Sequence, residues 1–216
     1  MPILTFLVTG FTPFNGEKIN PSWQIVKALP GAISGYKIIK LRVPTEFGRS
    51  INVVIKAIDK LKPDIVLCLG QAGGRAQMSV ERVAINVNDA RIVDNAGVQP
   101  IDEAIAEDAP AAYFCTLPVK AMVHSMLDQN IPAEVSNTAG TFVCNHLIFG
   151  VLHHIALRQY PIRADFMHVP FVDSQVVGRD DVPSLTLPAM IEATKAAIIA
   201  AIKHRADIKT IDGAHH

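Results

Sequence analysis

Short apolar runs alternate with amphipathic segments along most of this chain. Runs such as 3–8 and 65–69 are rich in β-branched and other apolar residues, a pattern that predicts buried strands. Segment 48–61 places its apolar side chains at helical spacing, which predicts an amphipathic helix. The same criteria predict strands at 3–8, 36–43, 65–69, 83–87, 134–136 and 164–169, and helices at 20–29, 48–61, 118–127, 144–158 and 189–205.

This order of elements predicts an α/β fold. We expect a doubly wound, mostly parallel twisted sheet with helices on both faces, of the phosphorylase- or hydrolase-like kind. The chain shows no internal repeat or linker, so we expect a single domain over residues 1–216. Segment 89–116 is a long excursion rich in Asp, Asn, Gly, Pro and Ala, and such excursions are usually functional or interfacial.

Composition narrows the classes of partner and compartment. The 20 basic and 20 acidic side chains balance, so nothing indicates nucleic acid or an anionic membrane as a partner. The first residues lack a signal peptide, and no apolar run reaches the ~18 residues that span a bilayer. An odd count of three widely spaced cysteines favours a reducing, cytoplasmic location. His215 and His216 can equally be native or part of a purification tag, so they are left out of the argument.

Cys144 is the residue most suited to chemistry. It follows a loop of small and polar residues and lies in the first turn of the helix predicted at 144–158. Free backbone N–H groups and the positive end of the helix dipole favour an anion there. A thiol in this position tends to have a lowered pKa and to be a better nucleophile. The alternative is a small buried hydrophobe, the usual fate of a free cysteine.

Ligands of open α/β sheets bind beyond the carboxyl ends of the strands. The segments 10–16 and 70–75, the loop before Cys144 and the residue His168 all follow or end predicted strands. We expect these four segments to gather at one edge of the sheet.

A cysteine nucleophile needs a base, and His168 is the best candidate among eight histidines. His146 is close in sequence, but side chains two positions apart on a helix point about 200° away from each other. His168 belongs to a separate strand and can approach Cys144 from outside the helix.

An acidic residue should hold the imidazole in place. Glu81, Asp89 and Asp94 all follow the strand predicted at 65–69. Glu81 begins the strand segment 81–87 and is therefore rigidly placed, but the pattern alone does not choose among the three.

The sequence gives only weak indications of a nucleotide-binding loop or a metal site. The glycines of 70–74 match neither a dinucleotide-binding fingerprint nor a phosphate-binding P-loop. His146 and His153 lie two helical turns apart, roughly 10 Å, which is too far for one metal ion. We expect no metal and no cofactor.

A rival interpretation keeps the same sheet but changes the chemistry. In a small-ligand-binding or phosphorylase-like protein, the glycine loop and Arg75 or Arg91 would hold an anion, and Cys144 would be inert. Rapid alkylation of Cys144 with loss of activity would separate the two.

Several motifs in a fixed order carry a family resemblance. They are Thr9-Gly10-Phe11 with Pro13-Phe14, Asn20-Pro21-Ser22, Gly70-Gln71-Ala72-Gly73-Gly74-Arg75, Glu81-Arg82-Val83-Ala84-Ile85-Asn86, and Ala139-Gly140-Thr141-Phe142-Val143-Cys144-Asn145-His146. Over nearly its whole length the chain resembles the type I pyroglutamyl peptidases, also called pyrrolidone-carboxylate peptidases. Segment 171–175 departs from the family's usual pattern.

The resemblance implies a cysteine omega-peptidase that hydrolyses N-terminal pyroglutamyl residues from peptides through a thioester. It implies Glu81, Cys144 and His168 as the catalytic residues, with Arg91 as a helper for the oxyanion. It also implies a homotetramer in which segment 89–116 forms an interface or a substrate rim. The implied substrate pocket consists of Phe11, Phe14, Thr45, Gln71, Ile92, Phe142 and Val143.

Overall fold

Seven strands form one central sheet in the computed structural model of the chain, which is described over residues 3–212. His215 and His216 lie outside the described residues. The strands are β1 Thr5–Phe11, β2 Ala32–Ile33, β3 Tyr36–Val43, β4 Ile65–Gln71, β5 Met78–Glu81, β6 Val83–Ile85, β7 Ala112–Phe114, β8 Ala133–Ser136, β9 Arg163–Val169, β10 Phe171–Val172 and β11 Ser184–Leu185. The helices are α1 Pro21–Ala28, α2 Arg49–Leu61, α3 Val119–Leu127, α4 Val143–Arg158 and α5 Leu187–Lys203, with a 3₁₀ turn at Asp173–Gln175.

The strand order in the central sheet is β2-β3-β1-β4-β9-β5-β8. Strands β3, β1, β4 and β9 are parallel neighbours, whereas β2 pairs antiparallel with β3 and β5 pairs antiparallel with β9. Helices α1, α3 and α5 pack on one face of the sheet, and α2 and α4 pack on the other. The predicted fold class, a mostly parallel sheet between two helical layers, is confirmed.

Local sequence signals explain where α1 begins. Asn20 caps α1 by accepting from the Ser22 amide at 3.1 Å, and Pro21 occupies the first helical position. The helix predicted to contain Cys144 in its first turn is α4, which begins at Val143. The predicted strand at 36–43 and the other four predicted helices are also confirmed, with ends that differ by one or two residues.

The region around Glu81 was predicted less well. The pattern missed β5, a strand of four buried residues that ends at Glu81, so the expectation that Glu81 begins a strand is wrong. The strand predicted at 83–87 is shorter and lies outside the central sheet, where β6 pairs with β7. Such a short interior strand has too few residues for a recognisable alternation, and its partners β8 and β9 are distant in sequence.

Strand direction also changes how the site is assembled. Strands β1, β4 and β9 carry their carboxyl ends to the same edge, as predicted, but β8 runs opposite to β9. The loop before Cys144 therefore does not reach the site by the strand-end rule, but the expected gathering of the four segments is confirmed, because residues of each line the same cavity. Loop 137–142 instead carries the chain back from β8 to the carboxyl end of β4.

The excursion at 89–116 is mostly irregular and is held by buried polar side chains. Asp94 accepts from the amides of Phe47, Ala96 and Val98 at 2.8–2.9 Å. The strand β7 and a single bridge between Asn88 and Glu103 are the regular pairings within it. Among residues 3–212, no helix has the length and apolar character needed to cross a membrane.

Candidate active site

Glu81 and His168 form a buried hydrogen-bonded pair between two adjacent strands. Glu81 Oε1 accepts from His168 Nδ1 at 2.7 Å, and the side chains of Glu81 and His168 are 0% and 5% exposed. Ser79 is the antiparallel partner of His168, and Glu81, two residues further along β5, projects to the same face of the sheet and reaches His168 diagonally. Because a carboxylate can only accept, Nδ1 carries the proton and Nε2 keeps its lone pair.

The other two acidic candidates are engaged elsewhere. Asp94 is occupied by two backbone amides of the excursion and by the amide of Phe47. Asp89 lies at the surface, lines the cavity described below and makes no hydrogen bond to His168 within residues 3–212. Of the three acidic residues that the sequence left open, Glu81 is the one that holds the imidazole.

Cys144 lies against the strand next to His168. A methyl group added at Gly70 would lie 2.8 Å from Cys144 Sγ and 2.5 Å from the ring of Phe166. Gly70 is the direct partner of His168 in the β4–β9 pairing, and paired residues project to the same face of a sheet. The absent side chain at Gly70 therefore makes room for the thiol on the face that carries His168.

Burial decides the charge states of these groups. Burial raises the pKa of the Cys144 thiol to about 12, Glu81 raises it further, and Arg75 opposes this shift. The expected lowered thiol pKa is therefore wrong, because desolvation by burial is the largest effect on this thiol. Burial also lowers the pKa of His168, against the effect of Glu81. At neutral pH the resting site holds a thiol and a neutral imidazole.

Arg75 is a second partner of Glu81. From the sequence it was considered only as a residue that could bind an anion. Its Nη1 donates to Glu81 Oε1 at 2.8 Å, and its Nη2 donates to the Thr138 carbonyl at 3.0 Å. The signal available in the sequence was an arginine at the end of the glycine loop, six positions before Glu81.

The other helix histidines bind different parts of the fold. His146 Nε2 accepts from the Gly48 amide at 2.8 Å, its Nδ1 faces Asn88 Oδ1 at 3.0 Å, and burial lowers its pKa to about 4. His153 contacts Tyr113, and His154 contacts the Asp59 carboxylate. Within residues 3–212, no three His, Cys, Asp or Glu side chains are grouped to hold a metal ion.

A cavity of about 900 Å³ opens beside the pair and reaches solvent. His168 forms part of its wall, together with Phe14, Phe142 and Ile92. The rings of Phe14 and Phe142 lie 6.0 Å apart between centroids. Gln71 and Arg91 also line the cavity, so five of the residues expected around the substrate are brought together with His168.

Three of the expected pocket residues do not line this cavity. Phe11 is 2% exposed and packs against Phe166, with ring centroids 6.4 Å apart. Val143 is fully buried in the core between the sheet and α4. Thr45 is buried, and its Oγ1 donates to the Thr12 carbonyl at 2.8 Å. These side chains lie behind the cavity wall.

The segment after β9 adds a contact that sequence reasoning missed. Gln175 Nε2 donates to Gln71 Oε1 at 3.0 Å and to Glu17 Oε2 at 3.1 Å. Arg179 from the same segment lines the cavity. The segment has no periodic pattern, so nothing in the sequence directs it towards Gln71.

A thiol at a helix start, an imidazole on the next strand and a buried carboxylate behind it are the groups of a cysteine peptidase on an α/β scaffold. Comparison with known proteins gives the particular family. The family model described as pyroglutamyl peptidase matches residues 4–204.

Similar proteins cover the whole chain. A pyrrolidone-carboxylate peptidase of Alkaliphilus oremlandii is 50% identical over 98% of this chain and 99% of its own length, and one of Finegoldia magna is 50% identical over 99% and 100%. The crystal structure of pyroglutamyl peptidase I from Bacillus amyloliquefaciens matches with a TM-score of 0.93 at 47% identity, covering 97% of this chain and all of that one. A mutant pyrrolidone carboxyl peptidase of Pyrococcus furiosus matches with a TM-score of 0.89 at 40% identity, over 93% of this chain and 99% of that one.

The chain belongs to the pyroglutamyl peptidase family of cysteine peptidases. Enzymes of this family are hydrolases that remove pyroglutamate from peptide N-termini. The predicted family, enzyme class and activity are confirmed.

Proposed function

We propose that this chain removes N-terminal pyroglutamyl residues with Cys144 as nucleophile, His168 as base and Glu81 as the group that orients the base. The 2.7 Å bond between Glu81 and His168, with Cys144 Sγ against the partner residue Gly70, carries the proposal. A free Nε2 lone pair on a neutral imidazole is the form that can accept the thiol proton.

The reaction proceeds through a thioester. His168 Nε2 takes the proton of Cys144 as sulfur attacks the pyroglutamyl carbonyl, and the protonated ring then donates to the departing amine. Water, deprotonated by His168, next cleaves the thioester, releasing pyroglutamate and the free thiol. Because burial raises the pKa of the thiol to about 12, the resting site holds the protonated thiol, and His168 is the group that must remove its proton.

Negative charge on the carbonyl oxygen requires donors. The Cys144 backbone N–H lies in the first turn of α4, where no carbonyl of the helix accepts it. Arg91, an exposed cavity residue without an ion-pair partner among residues 3–212, is the side-chain donor that we assign to the oxyanion.

The lactam is neutral and needs apolar walls with one donor and one acceptor. Phe14, Phe142 and Ile92 provide apolar surface in the cavity. The β1–β4 pairing ends at Leu69, so the Gln71 backbone lies beyond the ladder and can pair with the lactam amide on that side. Ordinary N-terminal residues would leave these groups unpaired, which gives selectivity.

Phe11, Thr45 and Val143 support this pocket from behind. Phe11 packs on Phe166, and Thr45 fixes the turn that contains Thr12. We propose that these three side chains shape the wall of the pocket and do not contact the lactam directly.

The same protein is proposed to be a cytoplasmic homotetramer. Its excursion exposes large apolar side chains, including Ile101 at 68% and Phe114 at 72%, and such surface is costly in a monomer. The three cysteines are unpaired, as in a reducing compartment. Light scattering of the purified protein, compared with a Phe114→Ser variant, measures the assembly state.

The rival anion-binding function would use Arg75 or Arg91, but Arg75 is already ion-paired with Glu81. Release of a fluorescent amine from a pyroglutamyl amide, with a prolyl amide as control, tests the peptidase activity. We expect turnover of the first substrate only, and its loss in Cys144→Ser. Equal turnover of both amides, or a fully active Cys144→Ser, would overturn the proposal.

A further inference from the structure

Arg75 bridges the orienting carboxylate and the loop that leads to the nucleophile. Its Nη1 shares Glu81 Oε1 with His168 Nδ1, at 2.8 and 2.7 Å. Its Nη2 holds the carbonyl of Thr138 in loop 137–142 at 3.0 Å. One guanidinium therefore touches both halves of the site that converge on Cys144.

Glu81 needs a counter-charge. Its side chain has no exposed surface, and its Oε2 has no hydrogen-bond partner within residues 3–212. A buried carboxylate without a paired cation is costly. The neutral His168 does not supply this charge in the resting enzyme. Within the described chain, Arg75 is the one cation at bonding distance from Glu81 while His168 is neutral.

We propose that Arg75 is a positioning residue for pyroglutamyl hydrolysis, which supplies the charge opposite the buried Glu81 carboxylate and keeps that carboxylate aimed at His168 throughout the cycle. The inference rests on the proposed roles of Glu81 and His168. Arg75 acts through Glu81, although it also lines the cavity, so the test must separate this role from substrate binding.

The charge of Arg75 also acts on the two groups that exchange the proton. It lowers the pKa of His168 and that of Cys144, whereas Glu81 raises both. Cys68 is the other titratable group that affects the thiol. Without Arg75 and with Glu81 still ionised, the pKa of His168 rises, and the neutral base persists only at higher pH.

The experiment compares Arg75→Met and Arg75→Lys with the wild-type enzyme on a fluorogenic pyroglutamyl amide. Arg82→Met is the matched control, because Arg82 anchors the same loop through Asn137 Oδ1 at 2.8 Å but makes no hydrogen bond to Glu81. General-base catalysis contributes about 10²–10⁴ in rate, so we expect Arg75→Met to lower kcat by roughly 10- to 100-fold.

The pH profile of kcat/KM separates the proposed role of Arg75 from loop anchoring, because loss of the loop contact alone would not change that profile. We expect the acidic limb of kcat/KM to shift to higher pH in Arg75→Met and to stay near wild type in Arg75→Lys, which keeps the charge. KM should change little, and Arg82→Met should resemble wild type in both rate and limb. Alkylation of Cys144 by iodoacetamide at fixed pH should slow in Arg75→Met, independently of turnover.

A second background keeps the test decisive if Arg75→Met folds poorly. Glu81→Gln removes the charge that Arg75 balances, so adding Arg75→Met to it should fold and cause little further loss. Four results would overturn the inference. They are an unshifted acidic limb of kcat/KM in Arg75→Met, an effect of Arg75→Met on KM alone, an equal loss of kcat in Arg82→Met, and a full additional loss of kcat when Arg75→Met is added to Glu81→Gln. Failure of the proposed function would instead show as inactivity of the wild type itself.

Discussion

Gly70→Ala tests how the sheet makes room for the nucleophile. The added methyl group would lie 2.5 Å from the ring of Phe166 and 2.8 Å from Cys144 Sγ, well inside van der Waals contact. Overpacking of this kind in a rigid core costs about 1–3 kcal/mol. Either the ring or the thiol must move, and Phe166 is already fully buried against Phe11.

The loss of activity should exceed what the loss of stability explains. A displacement of about 1 Å between reacting groups can cost roughly 10² in rate. We therefore expect kcat on a pyroglutamyl amide to fall about 100-fold, while the melting temperature falls by roughly 2–12 °C, as about 1–3 kcal/mol implies for a chain of this size.

Two alanine controls separate packing from catalysis. Gly150→Ala meets Ile51 at 2.3 Å and should lower stability with little effect on kcat, whereas Gly31→Ala meets nothing within 4 Å and should be neutral. A folded Gly70→Ala enzyme with wild-type kcat would refute the placement of Cys144 against Gly70. So would an equal loss of kcat in Gly150→Ala.

Three further predictions concern other contacts. The pKa of His146 is about 4 in the folded protein and near 6.5 in the unfolded chain, so the unfolded chain binds a proton first as the pH falls. The free energy of unfolding should therefore fall by at most about 3 kcal/mol as the pH falls from about 6.5 to 4. Chemical denaturation across this window should lose that pH dependence in His146→Gln, and an unchanged pH dependence would contradict the prediction. Gln175→Ala frees the Gln71 side chain and should raise KM more than it lowers kcat, and the reverse pattern in steady-state kinetics would refute this role. Asp207 caps the start of α3 by accepting from the amides of Lys120 and Ala121 at 3.0 Å, so Asp207→Ala should cost about 1 kcal/mol without loss of activity, and unchanged thermal stability would argue against the cap.

Much of the fold could be predicted because its signals are local. The apolar run at 36–43 became β3, and Asn20 with Pro21 began α1, since caps and periodicity depend on neighbouring residues only. Strand β5 was missed because four residues carry too little pattern, and its pairing with β9 joins residues far apart in sequence.

The candidate site, like the fold, could be predicted where its signals are local and not where they depend on distant residues. Cys144 was proposed as the nucleophile from its place at a helix start, and helix geometry argued against His146 as its base. The choice of Glu81 over Asp89 and Asp94 came from the resemblance, and its structural reason is a hydrogen bond across 87 positions. The thiol pKa was predicted in the wrong direction, because helix position is visible in a sequence and desolvation by distant residues is not.

Contacts made by irregular segments were beyond sequence reasoning. Arg75 and Gln175 reach the site from loops, and their partners follow from tertiary packing alone. Phe11 and Val143 were expected in the pocket because they belong to the family's motifs, but both are buried in the core.

The most direct test of the account is the identity of the residue that carries the acyl group. The enzyme is mixed with a pyroglutamyl ester, quenched in acid and digested, and the peptides are analysed by mass spectrometry. We predict one pyroglutamyl group, on Cys144, which is labile to hydroxylamine as a thioester is. A pyroglutamyl group on any other residue of the active enzyme would contradict the central claim.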